Sequence, residues 1–426
     1  MSLAADINFA RVDGLPPARL LAERIRIALL LLTAAAGAFV FVEPSPYEAV
    51  SLLTMLVFVF TGLSLSAPLI PLVVLLSLYN LGFAVAVTQI AAQTKPMIWV
   101  LVSVYLSVTA LFFAAVLGTD TERRLDFICR GCILAGVIAA LAGVLGYFHL
   151  LGGTLSETFT RFGRARGTFN DPNVLGAFLI FPSLLVLQRM LAGSLAQVLK
   201  NAILLGLFVL ALLVTFSRAA WGQFALTSVA VMFFTLVTTN SSRQRLRILI
   251  MAALGTTLLM LLIAAILSTE SVATLFKERA SLEQDYDLGH LGRFGRYSLG
   301  AALALDHPLG IGPLQFATIF REDPHNTFLN TFMSGGWLTG VAYLTISLAT
   351  VAFGFRFLFV PTPWRQTYIA VYAAFFGVTC ESFIIDIDHW RHYFLLLGVM
   401  WGLMAAAARY RAGASRTHQR WSPAHA

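Results

Sequence analysis

The sequence predicts an all-α, polytopic integral membrane protein of about twelve transmembrane helices, with one large outward loop that contains a short helix. Composition is the first observation: 58% of the 426 residues are hydrophobic, 12% are charged and mean hydropathy is +0.80, far from the balance of soluble domains. Arrangement is the second, because the apolar residues fall in runs of about 20, the length of helix that crosses the hydrocarbon. Helix is then required, since a spanning segment must satisfy its backbone polar groups internally.

Between charge clusters, spans are expected at 25–43, 47–65, 68–92, 97–118, 126–149, 172–192, 197–216, 219–238, 247–268, 326–353, 366–386 and 389–408. Arg11, Arg19, Arg24 and Arg26 lead into the first, and no small-residue cleavage site ends it, so it reads as an anchor rather than a removed signal peptide. No fixed-period repeat, Gly/Ser linker or soluble domain interrupts the chain, which reads as a single membrane domain over 1–426. The one long non-spanning stretch is 269–325, between the ninth and tenth spans.

Lys and Arg collect in cytoplasmic loops. With both termini inside, 18 of the 29 basic residues fall on the cytoplasmic side and 11 outside, so the expected topology is N-in, C-in. All the outward ones except Lys95 and Arg391 lie in 150–171, 217–221 and 269–325. The net charge of +8 thus divides into a topological part and an outward cationic site, for which headgroup binding is the competing explanation. Cys129 and Cys132 form a lone CxxC with no second pair or His cluster, which argues against a metal or redox centre, and Cys380 reads as core.

Within the long loop, Gly292 to Leu305 reads as a helix with Arg293 and Arg296 three apart on one side, followed by a reversing turn at HPLGIGP. In EDPHNTFLN, Asp323 reads as the N-cap and Pro324 as the first helical residue of the tenth span, which puts His325 and Asn326 in its first turn and Asn330 one turn deeper. RARGTFNDPN has the same grammar: Asp171 and Pro172 start the sixth span, Arg164 and Arg166 precede it, and Asn173 lies in its first turn. In TFSRAAW, Ser217 caps the eighth span and Arg218 occupies its first turn.

Capping alone accounts for Asp171, Pro172, Asp323 and Pro324. Arg218 differs, because an arginine in a short turn between spans is costly without a partner. Helix starts carry unpaired N–H groups and about half a positive charge, and guanidinium forks bind oxyanions bidentately, so this set suits phosphate or diphosphate. His325 alone is equally compatible with surface placement. Glu283, Asp285 and Asp287 lie close together, but no metal-ligand set is assigned.

In order, RGTFNDPN, TFSRAAW, GRFGRYSLGAALALDHPLGIGPLQF and HNTFLNTFMSGGWLTGVAYL resemble the O-antigen ligase and polymerase superfamily of bacterial envelope glycan transferases, over roughly residues 160–350. The family's arginine in the short Ser-Arg turn falls on Arg218, its Gly-Arg start of the loop helix on Gly292 and Arg293, and its His-Asn pair on His325 and Asn326. The resemblance implies that Arg218 and Arg293 bind a diphosphate and that His325 lies near the reacting hydroxyl. The local patterns add Arg164, Arg166, Asn173, Arg296, Asn326 and Asn330 as substrate-binding candidates. Tyr297 stands where many members have Trp, and Ser334 stands near where many have Glu, which leaves an acidic helper unassigned.

The implied activity is an inverting, metal- and cofactor-independent transfer of glycan from an undecaprenyl-diphosphate donor to an acceptor hydroxyl, at the periplasmic face of the bacterial inner membrane. Lipids and glycans are the expected partners, not nucleic acid. An O-antigen ligase, with lipid A core as acceptor, is favoured. A polymerase of O-antigen or exopolysaccharide, with a lipid-linked repeat unit as acceptor, is the alternative. A transporter or lipid-linked glycan flippase is more distant, and would bring broken-helix sites near the midplane and two related halves.

Overall fold

The computed structural model describes residues 17–41, 44–268, 274 and 292–420. Each of the twelve expected spans falls on a helix: Pro17–Ala36, Pro46–Gly62, Ile70–Thr88, Thr94–Val116, Thr121–Tyr147, Pro172–Ala192, Leu195–Val214, Arg218–Thr238, Ser242–Leu267, Thr327–Phe357, Arg365–Glu381 and Arg391–Arg420. Among the described residues, nine helices are long and apolar enough to cross a membrane. Pro17–Ala36 contains Arg19, Glu23, Arg24 and Arg26. Pro46–Gly62 and Arg365–Glu381 have 17 residues each, too short to cover a hydrocarbon core of about 30 Å without tilt or thinning.

The chain folds around two largely buried segments, Pro172–Ala192 and the Arg391–Gly413 part of the last helix, while Ser242–Leu267 lies at the periphery with little of its surface covered. Arg391–Arg420 packs along Thr94–Val116, Thr327–Phe357 along Ile70–Thr88, and Arg365–Glu381 along Arg218–Thr238. Large apolar side chains such as Phe60, Ile203, Leu258 and Met260 remain exposed, the distribution expected where lipid replaces water as the solvent. One departure from an all-helical fold is a two-residue antiparallel ribbon, Thr160–Arg161 against Arg164–Ala165.

The tenth expected span is not one continuous helix. Its backbone is broken at Gly336, which takes φ 77 and ψ −178. The loop after the Arg293–Asp306 helix inserts there: Ile311 N donates to Met333 O (2.8 Å), Gly312 N to Ser334 O (3.0 Å) and Trp337 N to Pro308 O (2.9 Å). HPLGIGP therefore reverses the chain, as its composition predicts, and also satisfies the groups that the break releases. Only glycine adopts this conformation without strain, and a methyl at Gly336 would lie 2.6 Å from the Leu309 carbonyl carbon. Gly336→Ala is expected to cost about 2–3 kcal/mol or more, read as a lower melting temperature in detergent, because backbone strain adds to a backbone clash.

Two expected boundaries are corrected. The tenth helix begins at Thr327 and its N-cap is Asn326, whose Oδ1 accepts from Leu329 N at 3.0 Å; Asp323 and Pro324 lie in the loop ahead of it. The eleventh helix ends at Glu381, so Ser382 to Trp390 form a loop where the sequence predicts continued helix to 386. Both corrections share a cause in Thr327. Its amide donates to Ser382 O (2.8 Å), its hydroxyl donates to Ile385 O (2.8 Å), and that hydroxyl oxygen accepts from Ile387 N (2.9 Å).

Candidate functional site

Three segments distant in sequence meet around a cavity of about 820 Å³, lined among others by Arg164, Asn173, Arg218 and His325. Arg164 reaches it through the ribbon, whose two-residue turn places Phe162 at φ 53 and Gly163 at φ 68, the positive pair of a type I′ hairpin. The Arg164 side chain is buried, and donates from Nε to Thr215 O (2.6 Å) and from Nη2 to Asn173 Oδ1 (2.8 Å). It fixes the ribbon to the end of the Leu195–Val214 helix and to the start of the Pro172–Ala192 helix. Arg166 does not line the cavity, and its Nε donates to Thr158 O at 3.0 Å.

Two long helices start at the cavity, both as their sequences predict. Asp171 caps Pro172–Ala192 by accepting from Asn173 N at 2.7 Å, and Ser217 caps Arg218–Thr238 by accepting from Ala220 N at 3.4 Å. Phe216, at φ 49, turns the chain between helices so that Arg218 is the first helical residue and lines the cavity.

His325 arrives from the opposite side. It precedes the N-cap rather than occupying the first helical turn, and its φ of 53 is left-handed, a conformation uncommon outside glycine and concentrated at functional sites. Tyr297 Oη lies 3.0 Å from Phe383 O and 3.3 Å from His325 O, so one hydroxyl ties the Arg293–Asp306 helix to both loops. His325 Nδ1 faces Asp386 Oδ2 at 3.5 Å, with the imidazole partly exposed and the carboxylate less so. Asp386 also lines the cavity.

Sequence reasoning missed this carboxylate, because the loop that carries it reads as helix. Ser334 itself donates to Asn330 Oδ1 (2.8 Å), and Asn330 Nδ2 donates to Asp388 Oδ2 (3.0 Å), so Asn330 holds the acidic loop instead of lining the cavity. Asn326 is a cap.

Arg296 is placed differently from the expectation that it faces a ligand beside Arg293. It is 3% exposed, donates from Nη1 to Glu322 Oε2 (2.6 Å) and Asp323 O (3.1 Å), and so braces the loop before His325. Arg293 starts its helix, but its side chain lies outside the described residues, as do Glu283, Asp285 and Asp287.

Acidic groups crowd this corner. Burial raises the Asp388 carboxyl to about 8, with repulsion from Asp386 and Asp323 adding to it, and burial likewise raises Asp323, followed by the charge of Asp386. A carboxyl held above its unfolded value of 3.8 binds more protons folded than unfolded, so its contribution to stability is full below about 4 and is lost as pH rises through about 8. Asp388→Asn is therefore expected to flatten the dependence of melting temperature on pH between about 4 and 8 and to raise stability at the alkaline end, measured by thermal melts at stepped pH.

The match to known proteins follows the same residues. Residues 203–344 match the family model described as O-antigen ligase. The resemblance to the O-antigen ligase and polymerase superfamily thus holds over about a third of the chain, including Arg218, Gly292, Arg293, His325 and Asn326. Arg164 and Asp386 lie outside the O-antigen ligase match and join its residues only in space. Members are glycosyltransferase-like ligases and polymerases, which supports an enzyme acting on lipid-linked glycan. No curated protein matches the chain significantly.

Proposed function

We propose that the protein transfers glycan from an undecaprenyl-diphosphate donor to an acceptor hydroxyl at the periplasmic face of the bacterial inner membrane, with N-in, C-in topology and a large periplasmic loop at 269–325. The observation that carries this reading is the meeting of Arg164 and Arg218, two helix N-termini and the His325–Asp386 pair around one cavity. A sugar on a diphosphate already has a good leaving group. The protein must therefore stabilise departing negative charge and position a nucleophile, which fixed guanidinium groups and helix N-termini do without reorganising.

In the proposed step, the acceptor hydroxyl oxygen attacks the anomeric carbon opposite the diphosphate. The carbon–oxygen bond to the diphosphate breaks, its electron pair leaves on the diphosphate oxygen, and the anomeric configuration inverts. The hydroxyl proton passes to His325 Nε2, since Nδ1 faces Asp386, and the carboxylate stabilises the imidazolium that forms. Arg293, at the start of its helix, is assigned with Arg218 to the diphosphate, with Arg164 and Asn173 completing that wall.

The break at Gly336 does not favour a transporter. In transporters an interrupted helix offers its free backbone groups to substrate or ion, whereas here Met333 O, Ser334 O and Trp337 N are taken by the inserted loop.

Ligation to lipid A core is the favoured activity. Polymerisation onto a lipid-linked repeat unit needs the same donor site, so the acceptor decides between them. The test is product mass spectrometry on purified protein in lipid, given lipid-linked repeat units with and without core. Glycan appearing on core is the expected result. Longer lipid-linked glycan made without core would instead make it a polymerase, and no transfer to either acceptor by folded protein would overturn the reading.

A further inference from the structure

The cavity lining is chemically mixed. Besides Arg164 and Arg218 it includes Gln223, further along the Arg218–Thr238 helix, and Glu381, the last residue of the Arg365–Glu381 helix packed against it. Glu381 is 3% exposed and Gln223 7%, and neither Glu381 oxygen nor Gln223 Oε1 has a hydrogen-bond partner. Asp386 Oδ1, on the same lining, is likewise unpartnered. Gln223 lies five residues beyond Arg218, about 7.5 Å along the helix axis.

The two helices are held close there. A methyl at Gly377 would lie 2.3 Å from Thr227 Cγ2 and 3.1 Å from Gln223 Cγ. Packing this tight does not leave a buried carboxyl unpaired without cost. Such a group in an apolar span is expensive, and each one calls for a reason beyond stability.

We propose that Glu381 and Gln223 form a sugar-binding subsite, which accepts hydrogen bonds from hydroxyls of the glycosyl unit attached to the donor diphosphate. This rests on the donor-site reading above and adds which part of the donor is recognised, and where. A glycosyl diphosphate is itself two-sided, with oxyanions at one end and hydroxyl donors at the other. The cavity lining carries both kinds of partner, guanidinium groups on Arg164 and Arg218 and three unpartnered acceptor oxygens on Glu381 and Gln223. A metal cation is a poorer occupant, because the arginines on the same lining repel it.

The experiment compares two probes on the full chain in lipid nanodiscs: undecaprenyl diphosphate, and undecaprenyl-diphosphate-linked glycan isolated from source cells. Wild-type protein is expected to bind the glycan-bearing lipid at least about tenfold more tightly, the scale of one or two net hydrogen bonds. Glu381→Leu is expected to abolish that difference, to leave affinity for undecaprenyl diphosphate unchanged, and to keep or raise the melting temperature, since it removes a buried unpaired carboxyl. Should the leucine variant not fold, Glu381→Met provides the same comparison with a flexible side chain of similar length and no acceptor oxygen.

Equal binding of both lipids by the wild type would overturn the subsite while leaving the donor site standing. Binding of neither would instead remove the donor-site reading beneath it. A glycan preference that survives substitution of Glu381 would also overturn the assignment. So would a variant with normal donor binding and a raised KM for the acceptor, which would give the subsite to the acceptor's sugar.

Discussion

Arg218→Ala is expected to lower glycan transfer by about 10²–10³-fold, the loss seen when one preorganised charge-stabilising donor is removed. The protein should remain folded and inserted, because Arg218 is the first residue of its helix and lines a cavity instead of an apolar packing face. Arg218→Lys should recover little of the loss. A guanidinium offers two parallel donors to an oxyanion, whereas an ammonium is a compact point charge. Quantified transfer at saturating acceptor checks this, and lysine at wild-type rate would show that charge alone suffices.

His325→Ala is expected to cost about 10²–10⁴-fold, the usual range for loss of a positioned general base. Asp386→Asn should cost less than His325→Ala and act mainly on kcat, because the carboxylate orients the imidazole and stabilises its charged form without touching the substrate. The double variant should be little worse than His325→Ala alone, as expected for groups that act as a unit. Additive losses would mean that the pair does not work together.

Much of this architecture was legible because lipid leaves the chain few options. Every expected span falls on a helix, since a long apolar run in a membrane must close its own hydrogen bonds. The caps at Asp171 and Ser217 were equally legible, being decided by side chains within three residues.

What failed was decided at long range. Asp323 and Asn326 both offer caps, and Asn326 prevails where Thr327 is tied to the Ser382–Trp390 loop. The first part of that loop is apolar enough to read as helix to 386, which hid Asp386. Arg296 reads as a ligand group from its local pattern beside Arg293, because its partner Glu322 lies 26 residues away. Glu381 and Gln223 gave no local signal beyond being lone polar residues in apolar segments, and only the cavity relates them to Arg218 and His325.

The central claim is that this cavity holds the diphosphate of a lipid-linked glycan, and the most direct measurement is an electron cryomicroscopy structure of the protein in lipid with undecaprenyl-diphosphate-linked glycan bound. The account predicts diphosphate density against Arg218 and the neighbouring helix N-termini, with His325 facing the anomeric carbon from the side opposite the leaving group. Diphosphate density away from this cavity, with the cavity empty of lipid-linked glycan, would contradict it.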